Sequence, residues 1–132
     1  MTSLWTRRAI HLAALSFLTA NLGVSAMASE INTNTPVTLI NSFEVPEDRL
    51  ADAVRSWEQA RDFLKEQPGY ITTRLHQSLS PQAKFQLVNI ALWESPDAYQ
   101  AAIQKLGKSG IVAEFKGISF HAALYNVIRE DE

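Results

Sequence analysis

Residues 85–99 read FQLVNIALWESPDAY. Residues 85–94 are rich in β-branched and aromatic types and read as a strand. One face of that strand carries Phe85, Leu87, Asn89, Ala91 and Trp93, and the other carries Val88, Ile90 and Leu92. Both faces are largely apolar, so both need cover. A helix follows directly. Ser95 stands as its N-cap, Pro96 as its first residue, and Asp97 beside the positive end of its dipole. Tyr99, Ala102, Ile103 and Leu106 form its apolar face.

Working outward, residues 70–78 (YITTRLHQS) read as the preceding strand, joined to residue 85 through the turn Ser80-Pro81-Gln82-Ala83-Lys84. Residues 37–45 (VTLINSFEV) read as the first strand. Pro46 then stands at a helix start, with Glu47 and Asp48 at its positive end. Leu50, Ala53, Val54, Trp57, Ala60, Arg61 and Leu64 recur at helical spacing, and Pro68-Gly69 closes that helix. On the other side, Gly107–Gly110 ends the second helix, residues 111–116 add a short helical piece, and residues 123–129 (ALYNVIR) read as a last strand. The order β-α-β-β-α-β is the ferredoxin-like α+β arrangement, predicted over residues 36–129. In it the first and third strands are central neighbours and both helices lie on one sheet face. The other apolar face of residues 85–94 then needs a cover from elsewhere. A second, identical sheet supplies one, which predicts a homodimer packed face to face.

The amino-terminal stretch is of a different kind. Residues 1–28 hold Arg7 and Arg8, then an apolar run from Ala9 to about Leu22, then Ala26-Met27-Ala28, and contain no acid. That is the three-part pattern of a secretory signal peptide. Thr6-Arg7-Arg8-Ala9-Ile10 carries the paired arginines of a twin-arginine signal, with His11 in place of its second apolar residue. The apolar run is shorter than the roughly 20 residues of a membrane span and includes His11 and Asn21. The expectation is an exported protein, periplasmic or secreted and with no membrane anchor after cleavage. Residues 29–35 (SEINTNT) form a flexible lead.

Composition narrows the chemistry. The chain has 132 residues, 12 Lys+Arg against 14 Asp+Glu, 46% hydrophobic residues and no Cys. Cysteine-ligated metals, disulfides and thiol nucleophiles are therefore excluded. No block of like charge supports nucleic-acid binding. There is no phosphate-binding glycine loop, H-E-x-x-H or G-x-S-x-G. His76 and His121 are too far apart to make a local metal signature.

The unusual residues are amides inside strands, where Asn is depleted. Asn41 and Asn89 share parity with Trp93. If the first and third strands pair in suitable register, two amides and an indole N–H converge on one wall. Tyr99 stands just beyond, on the inward face of the second helix. Read as core aromatics alone, Trp93 and Tyr99 would need only satisfied polar tips. His121, between Phe120 and Ala122, titrates in a range that suits a base.

Residues 37–101, from VTLINSFEVPEDRL through QPGYITTRLHQSL to FQLVNIALWESPDAYQA, resemble the antibiotic biosynthesis monooxygenase domain family, most characteristically at Trp93–Tyr99. The resemblance implies a ferredoxin-like subunit within a dimeric α/β barrel. Some relatives oxidise anthrones to quinones without metal or flavin. They use an Asn, a Trp four residues later and a Tyr six after that, which Asn89, Trp93 and Tyr99 match. Those relatives also use a later Arg, and this chain has none between Arg74 and Arg129. Other relatives degrade haem with an Asn on the first strand, matched by Asn41, and a Trp and a His on the helix after the third. Residues 96–106 contain neither.

The resemblance thus implies a cofactor-independent monooxygenase that uses dioxygen on a small electron-rich phenol or anthrone. Asn89 and the Trp93 N–H would hold an oxyanion, Tyr99 would relay a proton, and His121 would serve as base. Asn41 would orient the ring, with Phe43 and Trp57 as further substrate contacts. The alternatives are a non-catalytic dimer that binds a small quinone-like ligand, and a haem-binding or haem-degrading protein.

The leader carries one expected outcome. Intact-mass analysis of the exported protein should give a chain that begins at Ser29. Full-length protein retained uncut in the membrane would overturn that reading.

Overall fold

The computed structural model describes residues 35–131. The expected signal peptide, residues 1–28, and the lead up to residue 34 lie outside the described residues. The element order is β1 (Val37–Glu44), a 3₁₀ turn (Glu47–Arg49), α1 (Leu50–Leu64), β2 (Tyr70–Gln77), β3 (Leu87–Trp93), α2 (Pro96–Lys108), a second 3₁₀ turn (Ile111–Phe115) and β4 (Ser119–Tyr125). The four strands form one antiparallel sheet in the order β2-β3-β1-β4. This is the expected ferredoxin-like α+β arrangement, with β1 and β3 at the centre.

Local chemistry sets the element ends. Ser95 Oγ accepts from the Ala98 N–H at 3.1 Å, and Pro96 occupies the first turn, so α2 starts where the sequence places it. Gly107 does not end α2, which runs on to Lys108; Gly110, at φ +83°, makes the left-handed turn after it. Pro46 precedes a 3₁₀ turn instead of opening α1 directly, and its carbonyl accepts from the Arg49 N–H at 2.9 Å. Gly69, at φ +86°, lets the chain reverse into β2 close beneath Ala98, and its carbonyl accepts from the Glu94 N–H at 2.8 Å.

The last strand departs from expectation. It occupies Ser119–Tyr125 instead of residues 123–129. Its length is limited by β1, which begins at Val37 and offers its last partner, Thr38, to Tyr125. Its position is set by packing: Phe120 meets Phe43 edge-on at 4.9 Å and Phe115 at 5.1 Å. Val127 and Ile128, expected in the strand, lie beyond the sheet and are exposed.

The odd-numbered residues of β1 and β3 face the helices. Val37, Leu39, Phe43, Leu87, Ala91 and Trp93 are all buried there. Ala53, Ser56 and Ala60 on α1 and Ala102 on α2 are buried too, and their small size lets the helices approach the sheet closely. Burying a Leu or Phe side chain in such a layer contributes roughly 1.5–3 kcal/mol. The even-numbered face is different. Ile90 and Leu92 remain 38% and 39% exposed, and Tyr125 on the same face is 50% exposed. Among the described residues of one chain, none buries this face. Among the described residues, no helix is long and apolar enough to cross a membrane.

Candidate active site

A cavity of about 260 Å³ lies between the inner face of the sheet and the helices. Its floor is the β1–β3 pair, and its centre is a pair of amides. Asn41 stands directly opposite Asn89 in the ladder. Cross-strand partners bring their Cβ atoms to about 5 Å, so the two amides form one polar patch in an apolar floor. Thr73 on β2 donates from Oγ1 to Asn89 Oδ1 at 2.6 Å. That bond occupies the carbonyl of Asn89 and leaves its NH₂ as the group for a ligand. Asn41 Oδ1 is buried with no hydrogen-bond partner.

Trp93 lies four residues along β3 from Asn89 and is 1% exposed. Tyr70 and Tyr99 meet its ring edge-on, at 5.6 and 5.7 Å. The aromatic cluster fixes the indole, yet Trp93 Nε1 is buried with no acceptor. An unsatisfied buried polar atom costs about 1–3 kcal/mol. Here one donor and one acceptor are both orphaned in the wall of the same cavity. A ligand with oxygens at its edges would satisfy them. Tyr99 is 9% exposed, and burial pushes its hydroxyl above the ordinary tyrosine pKa. It therefore holds its proton at neutral pH and acts as a donor, not as a phenolate.

The roof comes from α1 and the segment after α2. Trp57, Ala60, Arg61 and Leu64 project from α1, and Val112 and Phe115 from the second 3₁₀ turn. The Arg61 guanidinium lies 5.2 Å from the centre of the Trp57 ring, within cation–π range. Phe43 and Phe120 close the far end.

Asn41, Phe43, Trp57, Asn89, Trp93 and Tyr99, the residues singled out from sequence, all line this cavity. His121 does not join them within the chain. It sits opposite Ser42 on the even-numbered face, 49% exposed, with Nε2 3.5 Å from Glu44 Oε2. The four-residue displacement of β4 explains this, because His121 falls inside a strand and takes the outward parity.

Among the other lining residues, those with polar groups are Tyr70, Thr73 and Arg61, and sequence reasoning gave none of them a place in the site. Tyr70 and Thr73 have opposite parity in β2 and face the same way only because the pairing with β3 shifts register between Tyr70 and Thr72. Such an extra residue reverses the alternation downstream of it, and period-two reading cannot locate it. Arg61 did leave a signal: it stands on the apolar stripe of α1, four residues after Trp57.

The antibiotic biosynthesis monooxygenase family model matches residues 36–105. A candidate monooxygenase from Shewanella loihica PV-4 is 46% identical. The match covers 73% of this chain and 97% of that one, with a TM-score of 0.66. SnoaB, a cofactor-independent oxygenase from Streptomyces nogalater, is 22% identical over 73% of this chain and 96% of that one, with a TM-score of 0.62. A candidate antibiotic biosynthesis monooxygenase from Bordetella bronchiseptica is 22% identical over 72% of this chain and 99% of that one, with a TM-score of 0.56. The last two share the fold. No curated protein matches the chain.

The burial of Tyr99 has a pH signature. A hydroxyl whose folded pKa is raised contributes stability that is complete below its ordinary value of 10.0 and is lost as pH rises through the folded value. Urea midpoints of the parent should therefore fall more steeply than those of Tyr99→Phe between about pH 9 and pH 11. Parallel decline in the two proteins would mean that the hydroxyl is not buried.

Proposed function

The chain belongs to the antibiotic biosynthesis monooxygenase family, a family described by monooxygenase activity, and from that premise we propose that it oxidises a small electron-rich aromatic, a phenol or anthrone, with dioxygen and without metal or flavin. The observation that carries this reading is the pair of orphaned polar atoms, Asn41 Oδ1 and Trp93 Nε1, in the wall of an otherwise apolar cavity. The volume, about 260 Å³, lies just under the roughly 300–1,000 Å³ of pockets that hold drug-sized ligands, which favours a compact ligand.

The chemistry asks little of the protein. A deprotonated phenol or anthrone is itself the electron donor to dioxygen. In the anthrone case the ring methylene loses two hydrogens; one oxygen atom becomes the new carbonyl and the other leaves as water. The protein has to favour the anionic form and keep water out. The Asn89 NH₂ and Trp93 Nε1–H are donors for the developing negative charge on the ligand's oxygens. Asn41 Oδ1 accepts from a ring hydroxyl and sets the ring's orientation. Tyr99, a neutral hydroxyl, returns a proton when the peroxide bond breaks. Phe43 and Trp57 flank the aromatic plane.

We further propose that the protein acts as an exported homodimer. The support for the dimer is the apolar, even-numbered face of the sheet, where Ile90, Leu92 and Tyr125 lack cover. The support for export is the pattern of residues 1–28.

Oxygen uptake with 1,8-dihydroxyanthrone tests the activity. One dioxygen should disappear per anthrone oxidised. Asn89→Ala and Trp93→Phe should each lower turnover by roughly 10²–10³, the loss that follows removal of one donor to a developing oxyanion. Uptake unchanged in both variants would sink this assignment of the site. For the dimer, sedimentation of the parent should give twice the monomer mass, and Leu92→Glu should shift it toward monomer, because a buried unpaired charge opposes that interface. A parent that sediments as a stable monomer would refute the assembly.

A further inference from the structure

Arg61 stands apart in the cavity. Of the described residues that line it, Arg61 alone carries a formal charge and none is a carboxylate. The side chain projects from the apolar stripe of α1 and is 36% exposed, which places the guanidinium at the rim. Val112, 46% exposed, marks the same opening. The guanidinium is held over the Trp57 ring at 5.2 Å. Its Nε and Nη2 donate to Asp62 Oδ1, both at 3.1 Å, and Nη1 is not part of that pair. Lys65 Nζ lies 3.4 Å from the same Asp62 oxygen. One carboxylate is thus shared by two cations, Arg61 and Lys65. Behind the rim stand neutral groups only: the amides, the indole, the protonated Tyr99 hydroxyl and apolar side chains.

We propose that the cavity selects an aromatic ligand bearing an anionic substituent, a carboxylate or acidic phenolate, and that Arg61 receives that substituent at the rim while Trp57 stacks on the ring. The proposal rests on the reading of this cavity as the substrate site and adds a substrate class to it. A neutral ligand gains little from a guanidinium at the rim, and a cationic one is repelled. An anionic one gains a charge-assisted hydrogen bond from a planar donor already held by its contact with the Trp57 ring. The rim is partly open to solvent, so the gain is screened and depends on salt. Arg61 acts here on specificity. It projects from α1, whereas the proposed oxyanion donors, Asn89 and Trp93, stand on β3.

The test is a calorimetric titration of the full chain with 6-hydroxy-2-naphthoic acid and with its methyl ester, which differ by one charge at one end of the same ring. The parent should bind the acid about tenfold more tightly than the ester at low salt, the ratio given by one moderate charged hydrogen bond. The ratio should shrink as salt is added. Arg61→Gln, which keeps helix propensity and polarity, should bring the acid to the ester's affinity. Arg61→Lys, which keeps charge without the planar fork, should retain part of the preference. Equal affinity for acid and ester in the parent, or a preference that survives Arg61→Gln, overturns the proposal and leaves the cavity reading standing. Ester binding that is insensitive to both Asn89→Ala and Trp93→Phe puts the probe outside the cavity and overturns the reading beneath it as well.

Discussion

The antiparallel register of β1 against β3 is the constraint on which the rest of the structure depends. It pairs Asn41 with Asn89, Leu39 with Ala91 and Val37 with Trp93. Side chains alternate along both strands, so a slip of one residue would turn every one of these groups to the opposite face. The amides would leave the cavity, and Val88, Ile90 and Leu92 would have to pack beneath the helices. The large buried residues Trp93, Leu87 and Phe43 hold the register against that slip, because each would lose its burial together with the others.

From that register the cavity follows. The small residues of α1 and α2 bring the helices close along part of the sheet, while Trp57, Tyr99 and the phenylalanines hold them off elsewhere. The space left is apolar except where Asn41, Asn89 and Trp93 reach it. Polar groups in such a place cost stability unless they are met. Thr73 meets one of them and aims it; the free carbonyl of Asn41 and the indole N–H remain for a ligand. Stability given up at these two atoms is consistent with a wall shaped for binding, since an aliphatic residue at position 41 would pack without that cost.

The two faces of the sheet divide the labour. The inner face carries the cavity and the helices. The outer face carries Ile90, Leu92 and Tyr125, together with the Lys84–Glu44–His121 charge cluster. Lys84 and His121 both draw the Glu44 carboxyl below its ordinary pKa, with Lys84 the larger influence. His121 therefore belongs to the surface electrostatics of the outer face, not to the proton chemistry of the cavity within its own chain.

Much of this was legible in the sequence alone because local periodicity carries it. The β-α-β-β-α-β order, the capped start of α2 at Ser95-Pro96, the parity shared by Asn41, Asn89 and Trp93, and the two apolar faces of β3 all follow from alternation, capping and propensity. Six of the seven chosen site residues meet in one cavity for that reason. What the sequence could not determine depends on contacts between distant segments. The exact facing of Asn41 and Asn89 is a pairing register. The inward turn of Thr73 needs an extra residue in β2 relative to β3. The place of β4 is set by Phe120 finding Phe43 and Phe115, and by where β1 begins, and that placement sends His121 outward. Helical spacing already set Arg61 beside Trp57, but only the tertiary structure put that cation at the mouth of an otherwise neutral cavity. Periodicity acts over a few residues, whereas register, a strand irregularity and the charge of a cavity are properties of segments that meet only after the chain has folded.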